Sequence, residues 1–213
     1  MRKVCVVVAS MPPGELYIPE GSFVIAADKG YLHLHERGIQ PDVTVGDFDS
    51  LGYVPNVQNL IRHPMQKDDT DMLLAVRVGL ERGATHFVLY GGLGGRLDHT
   101  LANVQTLAFI RAHGAKGILL GDETAVYLLQ NDSISFSPDY HGIFSAFCFG
   151  EQALGVTETG LLYRVENATL TNSFPLGVSN EFIGRESTVQ VQSGSLLLCF
   201  QSGAKMACDT FLG

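Results

Sequence analysis

Short β-branched runs alternate with helix-period segments through about the first 120 residues of this chain, and the alternation stops near residue 123. The runs lie at residues 4–9, 23–27, 42–45, 87–90 and 117–120, with a weaker one at 59–62. Helical patterns fill the gaps at 30–37, 71–82 and 97–113. In the 71–82 segment Leu73, Leu74, Val76, Val78 and Leu80 form a broad apolar face. Strands separated by helices imply βαβ units and a mainly parallel sheet. Beyond residue 123, strand-like pieces dominate, at 125–129, 133–136, 143–149, 161–165, 188–192 and 196–200. Asn, Gly, Ser and Pro punctuate them, and no amphipathic helix is evident there. This second region reads as an antiparallel β-sandwich. The change of period divides the chain into an α/β domain over residues 1–123 and a β domain over 124–213.

Composition narrows the function classes. The 213 residues include 14 Lys and Arg against 22 Asp and Glu, a formal charge of −8. No basic block appears, so a nucleic-acid polymer is not an expected partner. A small polyanion can still bind an acidic protein when metal ions lie between the like charges. Cys5, Cys148, Cys199 and Cys208 form no CxxC pair and no disulfide framework, which fits a reducing, cytoplasmic setting. The apolar run after Met1-Arg2-Lys3 is short, and Pro12-Pro13-Gly14 follows it without a small-residue cleavage site. It reads as a first core strand rather than a signal peptide. No apolar stretch approaches the ~20 residues of a membrane span, so no membrane partner is expected.

The polar clusters fall after strand runs. Asp28 follows the run at 23–27, and Gly46-Asp47-Phe48-Asp49-Ser50 follows the one at 42–45. Alternate positions on an extended chain share a side, so Asp47 and Asp49 can point the same way. Two neighbouring carboxylates repel unless a cation lies between them or one takes a proton. A hard divalent ion such as Mg²⁺, which prefers oxygen ligands, resolves that conflict. A solvated turn is the plainer alternative, since Gly, Asp and Ser are common turn formers. Gly91-Gly92-Leu93-Gly94-Gly95-Arg96 follows the run at 87–90. Missing side chains let backbone N–H groups approach an anion, and a helix start adds partial positive charge. The loop fits neither a Walker A motif nor a GxGxxG fingerprint. Arg96 supplies a planar cation suited to phosphate oxygens. Asp98 stands where a helix N-cap is expected, and capping and ligand roles can coexist there.

A third cluster, Lys67-Asp68-Asp69-Thr70-Asp71, opens the helix that follows. Acidic residues suit a helix start, but three aspartates in four positions exceed what capping needs. Lys67 can neutralise them or reach a phosphate. The strand ends that carry Asp28, Asp47, Asp49 and the glycine loop form one edge of an open α/β sheet, where ligands bind. The seven histidines show no zinc spacing; only His99, beside Asp98, adjoins the polar clusters.

Gly46-Asp47-Phe48-Asp49-Ser50, Lys67-Asp68-Asp69-Thr70-Asp71 and the glycine loop through Arg96-Leu97-Asp98-His99, in that chain order and with Ala102-Asn103 after the last, resemble thiamine pyrophosphokinase. Ala27-Asp28 resembles that family's first acidic motif, and Ser179-Asn180-Glu181 its thiamine-side motif. The resemblance implies a Rossmann-like α/β domain, a C-terminal β-sandwich and a homodimer with active sites between subunits. It implies Mg²⁺-dependent transfer of the pyrophosphoryl group of ATP to the hydroxyl of thiamine, with release of AMP. Asp47, Asp49 and Asp71 become metal ligands. Asp28, Lys67, Thr70, Gly92, Gly94, Gly95, Arg96 and Asn103 become nucleotide contacts, and Ser179 and Asn180 thiamine contacts. Asp71 and Asp98 are the two candidates for the catalytic base. Lys29 stands where the family often has glycine, and the chain has no Trp. Phe174 and Phe182 are then the aromatic candidates beside thiamine.

Two other classes use part of this pattern. An Asp-rich Mg²⁺ phosphohydrolase needs no second-substrate region such as Ser179-Asn180. A nucleotide sensor needs few carboxylates, whereas at least five fall near one expected edge.

Overall fold

The computed structural model describes residues 2–46, 57, 59–61 and 70–213, arranged in two compact units, Met1–Asp122 and Glu123–Gly213. The first unit is built around β1 (Val4–Val8), which pairs in parallel with β2 (Phe23–Ala27) on one side and β5 (His86–Tyr90) on the other. β3 (Val43–Val45) and β4 (Leu60–Ile61) extend the β2 side, and β6 (Lys116–Leu120) extends the β5 side. Every pairing among these six strands is parallel. Cys5, Val6, Val7 and Val8 are fully buried. A strand covered on both faces needs apolar residues at every position, which is why these segments read as unbroken apolar runs.

Helices α1 (Gly30–His35), α2 (Asp71–Glu81) and α3 (Leu97–Ala112) follow β2, β4 and β5 in the chain. The buried seam of α2 is Met72, Ala75, Val76, Val78 and Gly79, whereas Leu73, Leu74 and Leu80 are only half-buried flanks. The smallest residue on that seam decides the difference. A Cβ on Gly79 would fall 2.5 Å from a Phe87 ring carbon and 3.0 Å from Cys5 Sγ, so the helix sits too close to the sheet for a larger side chain. Gly30 makes a tighter approach, because a Cβ there would lie 1.8 Å from the carbonyl oxygen of Val8.

The second unit carries two antiparallel sheets. One has the order β12-β9-β14-β7 and the other β11-β10-β13-β8, where the strands are β7 (Thr124–Gln130), β8 (Ser133–Phe136), β9 (His141–Cys148), β10 (Gln152–Thr159), β11 (Val165–Thr171), β12 (Gly177–Ile183), β13 (Ser187–Gln190) and β14 (Ser195–Gln201). The core between them is aromatic. The Phe136 ring lies 5.1 Å from the rings of Tyr140, Phe182 and Phe200 and 5.9 Å from that of Phe144, mostly edge-on. Edge-on contacts bring the positive rim of one ring to the negative face of another.

Two expectations for this region are corrected. The expected strand at 161–165 is largely irregular chain: Leu161 makes one isolated bridge, to Phe182. Its neighbours β10, β11 and β12 carry many exposed polar residues and breaks in register, which erased the period-two signal. The region also has a helix, α4 (Ala204–Leu212), which buries Ala204, Ala207, Cys208 and Phe211. Those positions have helical spacing, but three of the four are small and contribute little apolar signal. The buried Tyr140 hydroxyl tethers α4, hydrogen-bonded to the Met206 carbonyl at 3.1 Å and to Thr210 Oγ1 at 2.8 Å.

Gly30→Ala is expected to destabilise the chain by about 1–3 kcal/mol, since backbone rather than a flexible side chain blocks the new methyl group. The denaturant midpoint should fall without a change in slope; an unchanged midpoint would show that α1 can move off β1.

Candidate active site

Parallel pairing puts the ends of β1, β2, β3 and β5 at one edge, and side chains connect them there. The Asp28 N–H, just past β2, donates to the Val45 carbonyl of β3 at 2.8 Å. Asp28 itself has a left-handed backbone, φ +50°, and is buried. Short Asp side chains tolerate that region. Ser10, two residues past β1, donates its hydroxyl to Asp28 Oδ2 at 3.2 Å, and its carbonyl lies 3.0 Å from His33 Nε2. A Cβ on Gly46 would fall 3.3 Å from Asp28 Cα, so Gly46, the residue before Asp47, lies directly beside Asp28. Asp47 and Asp49, together with Lys67, lie outside the described residues.

The glycine loop occupies the same edge. Ala9 N–H donates to the Tyr90 carbonyl at 2.9 Å, which carries the β1–β5 pairing one residue further. Gly91 has φ +71°, and a Cβ there would fall 2.6 Å from the Met11 carbonyl and 2.7 Å from that of Ala9. No other residue fits that turn. Gly94 and Gly95 also have positive φ, and the Met11 thioether lies against Gly95. Asn103, buried on α3, donates its amide to the Gly92 carbonyl at 2.8 Å and clamps the loop to the helix. Met72, in the first turn of α2, also lies against Gly92, so that turn reaches the loop.

Thr70 is the N-cap of α2, its hydroxyl accepting from Leu73 N–H at 3.2 Å, and Asp71 is the first residue of the helix. The expectation that Asp98 caps α3 is corrected. Arg96 occupies the cap position, without a side-chain cap bond, and Asp98 sits in the first turn. Arg96 Nε donates to Asp98 Oδ1 at 3.1 Å, and Nη2 donates to Oδ2. Both side chains are exposed. The Arg96 guanidinium, with help from the His99 N–H, holds the Asp98 carboxyl below the ordinary carboxylate range. Among the described residues no three acids, histidines or cysteines cluster as a metal site.

Ser179 and Asn180 belong to the second unit. Ser179 sits at φ +61° in the bulged part of β12, and its N–H donates to Ser145 Oγ at 3.1 Å. The Asn180 side chain is buried and fully used. Its Oδ1 accepts from the N–H groups of Tyr163 and Glu181, each at 2.9 Å. Its Nδ2 donates to the Tyr163 carbonyl at 2.8 Å and to Glu158 Oε2 at 2.9 Å. An amide has two donors and one two-sided acceptor, so no capacity is left for a ligand. Glu158 is 1% exposed, and its Oε1 has no hydrogen-bond partner. Burial pushes the Glu158 carboxyl above its ordinary value, against the lowering effect of the Asn180 hydrogen bond.

Two family models match this chain: the catalytic domain of thiamin pyrophosphokinase over residues 15–119, and its vitamin B1 binding domain over residues 131–198. The chain belongs to the thiamin pyrophosphokinase family. A thiamine pyrophosphokinase of Bacillus subtilis is 29% identical over 189 residues, covering 85% of this chain and 88% of that protein. A crystal structure of thiamine pyrophosphokinase from the same organism superposes with a TM-score of 0.82 at 27% identity, over 94% of this chain and 99% of that one. One of thiamin pyrophosphokinase from Candida albicans, at 15% identity, shares the fold with a TM-score of 0.76, over 94% of this chain and 89% of that one.

Within this thiamin pyrophosphokinase framework, the described residues 28, 46, 71 and 91–103 lie in the catalytic-domain match, and residues 158, 163, 179 and 180 in the B1-binding match. Of the aromatic candidates, Phe182 is buried in the ring cluster and Phe174 is 65% exposed. Sequence reasoning passed over Ser10, Met11, Glu158 and Tyr163. Ser10 and Met11 follow the first strand run as Asp28 follows the second, so the strand-end rule applied to them equally. Glu158 stands between two threonines and gave no signal.

The Glu158 carboxyl predicts a pH effect. Its folded value is raised, so the folded chain holds this proton more tightly than the unfolded chain, and stability falls as pH rises from about 4.5 through the folded value. Glu158→Gln does not titrate. It is expected to be more stable than the parent by about 1–3 kcal/mol above that window and to lose the advantage below it. Melting temperatures across pH check this; a constant difference would contradict it.

Proposed function

We propose that this chain transfers the pyrophosphoryl group of ATP to the hydroxyl of thiamine, releasing AMP and thiamine diphosphate. The observation that carries this reading is the convergence of Asp28, the glycine loop and the first turn of α2 at one sheet edge. It occurs in a chain whose second unit matches a vitamin B1 binding domain. Polyphosphate suits such an edge, where backbone N–H groups and helix starts offer positive partial charge. We assign Gly92, Gly94, Gly95 and Arg96 to the phosphates and Asp28, Lys67 and Thr70 to the nucleotide, with Asn103 holding the loop.

We assign Asp47, Asp49 and Asp71 to Mg²⁺, which prefers hard oxygen donors; Gly46, the residue before Asp47, lies against buried Asp28, which supports the assignment. Mg²⁺, when bound, neutralises phosphate charge and polarises the phosphoryl oxygens. The chain's own residues hold the alcohol in line with the β-phosphorus, from which most of the rate gain comes. The thiamine oxygen forms the new bond to that phosphorus, the bond to the α-phosphate oxygen breaks, and AMP leaves. A carboxylate accepts the alcohol proton. Asp71 suits that role better than Asp98, whose basicity the Arg96 pair reduces. Ser179 contributes to the thiamine side, with Asn180 supporting it through the backbone.

The chain is expected to act as a homodimer with sites between subunits. Exposed Ile143, Phe147, Val178 and Ile183 on β9 and β12 offer the apolar surface such an interface needs. Sedimentation should give twice the chain mass, falling to one chain in Ile143→Asp; a monomeric parent at working concentration would refute it. The four cysteines are free, which suits the cytoplasm, and no helix of the described residues is long and apolar enough to cross a membrane.

Incubation with ATP, Mg²⁺ and thiamine tests the reading. AMP plus thiamine diphosphate is expected; inorganic phosphate alone would make the chain a hydrolase, and unchanged ATP a sensor. Asp47→Asn and Asp49→Asn should each lower turnover by at least about tenfold while leaving the melting temperature within a few degrees. Full turnover by both at limiting Mg²⁺ would remove these residues from the metal set.

A further inference from the structure

The carboxylate of Glu158 is out of place by the ordinary rules of a β-sandwich core. It points inward from β10, is 1% exposed, and no cation pairs with it among the described residues. One oxygen accepts from Asn180 and the other has no partner. An unpaired buried polar atom costs about 1–3 kcal/mol, more when charged, so the fold carries this carboxylate at a cost.

What the carboxylate accomplishes is seen at Asn180. The amide of Asn180 has two faces. With Nδ2 on Glu158 and the Tyr163 carbonyl, its Oδ1 meets two N–H donors, those of Tyr163 and Glu181. Turned over, it would set oxygen against two acceptors and nitrogen against two donors. Glu158 is therefore the side-chain acceptor that fills the last amide valence and favours the observed face. In that orientation Asn180 binds both backbone groups of Tyr163. Leu162 N–H donates to the Glu181 carbonyl at 3.0 Å, and Leu161 bridges Phe182. The segment 161–163 is thus fastened along residues 180–182 of β12, next to the bulge that carries Ser179. Leu162 and Tyr163 remain 47% and 62% exposed, so the segment presents their side chains outward from a fixed backbone.

We propose that Glu158 is a positioning residue: through Asn180 it fixes the 161–163 segment on β12 and so shapes the surface on which thiamine is held. This rests on the thiamine reading above. Ser179, bonded to Ser145, and Glu181, bonded to Asn180, border the same fastening, so loosening it disturbs the thiamine side and leaves the nucleotide loop untouched.

The test is a set of variants read by steady-state kinetics and amide hydrogen exchange. Glu158→Leu fills the core without an acceptor. It removes the buried charge but leaves one Asn180 donor unpaired, so it should stay folded with a melting temperature within several degrees of the parent, raise the KM for thiamine roughly tenfold and leave the KM for ATP within about twofold, as loss of one positioning hydrogen bond implies. Exchange at the Tyr163 amide should quicken. Glu158→Gln keeps an acceptor oxygen for Asn180 and should restore the parent KM for thiamine. If the Leu variant does not fold, Glu158→Asp, one methylene too short to reach Asn180, should show the same selective rise. Folded variants with an unchanged thiamine KM, or with both KM values raised alike, would overturn the positioning role. A parent chain that fails to use thiamine would overturn the functional reading itself, and this inference with it; an active parent with unaffected variants would overturn this inference alone.

Discussion

The parallel pairing of β1 with β2 and β5 is the constraint on which the rest of the first unit depends. Parallel neighbours must be joined by crossovers, so every strand starts at one edge and ends at the other. Whatever follows a strand is delivered to the same edge: Ser10 and Met11, Asp28, Gly46 and the glycine loop. The fit is tight because glycine is used where backbones meet. Gly30 lets α1 begin against the Val8 carbonyl, and Gly91 lets the loop turn against Ala9 and Met11. Polar chemistry is concentrated here because an apolar strand ends and its last backbone groups need partners.

The two units treat their polar groups differently. On the first, Arg96 and Asp98 satisfy each other at the surface, both exposed. A pair of that kind is worth little in water, so either member can exchange its partner for a phosphate or an ion at small cost. On the second, Asn180 and Glu158 are buried, and each hydrogen bond of the amide is internal. Such a group cannot be recruited by a ligand without breaking the fold locally. One site is therefore built from exchangeable surface groups and the other from a fixed scaffold that shapes what it presents.

Much of the first unit was legible because its strands are buried on both faces. The run at 23–27 became β2 without adjustment, and the helix ends of α2 and α3 moved by one residue. Asp98 was misread because the helix begins at Leu97, two residues earlier than a cap at Asp98 requires, and an aspartate suits the first turn as well as the cap. The half-exposed strands β10 to β12 were missed where bulges broke the alternation, and α4 was missed because small residues carry most of its buried seam. The motif Ser179-Asn180 was visible, but not the partners of Asn180. Those partners, Tyr163 and Glu158, lie 17 and 22 residues away, and only the folded chain brings them to the amide.

In the proposed reaction the carboxyl edge of the parallel sheet receives the nucleotide phosphates. Hydrogen exchange with and without Mg²⁺ and a non-hydrolysable ATP analogue tests it most directly. Exchange of the amides at residues 28–31 and 91–103 should slow, with β6 and α4 unaffected. Protection confined to the second unit, or none at the glycine loop under saturating nucleotide, would contradict it.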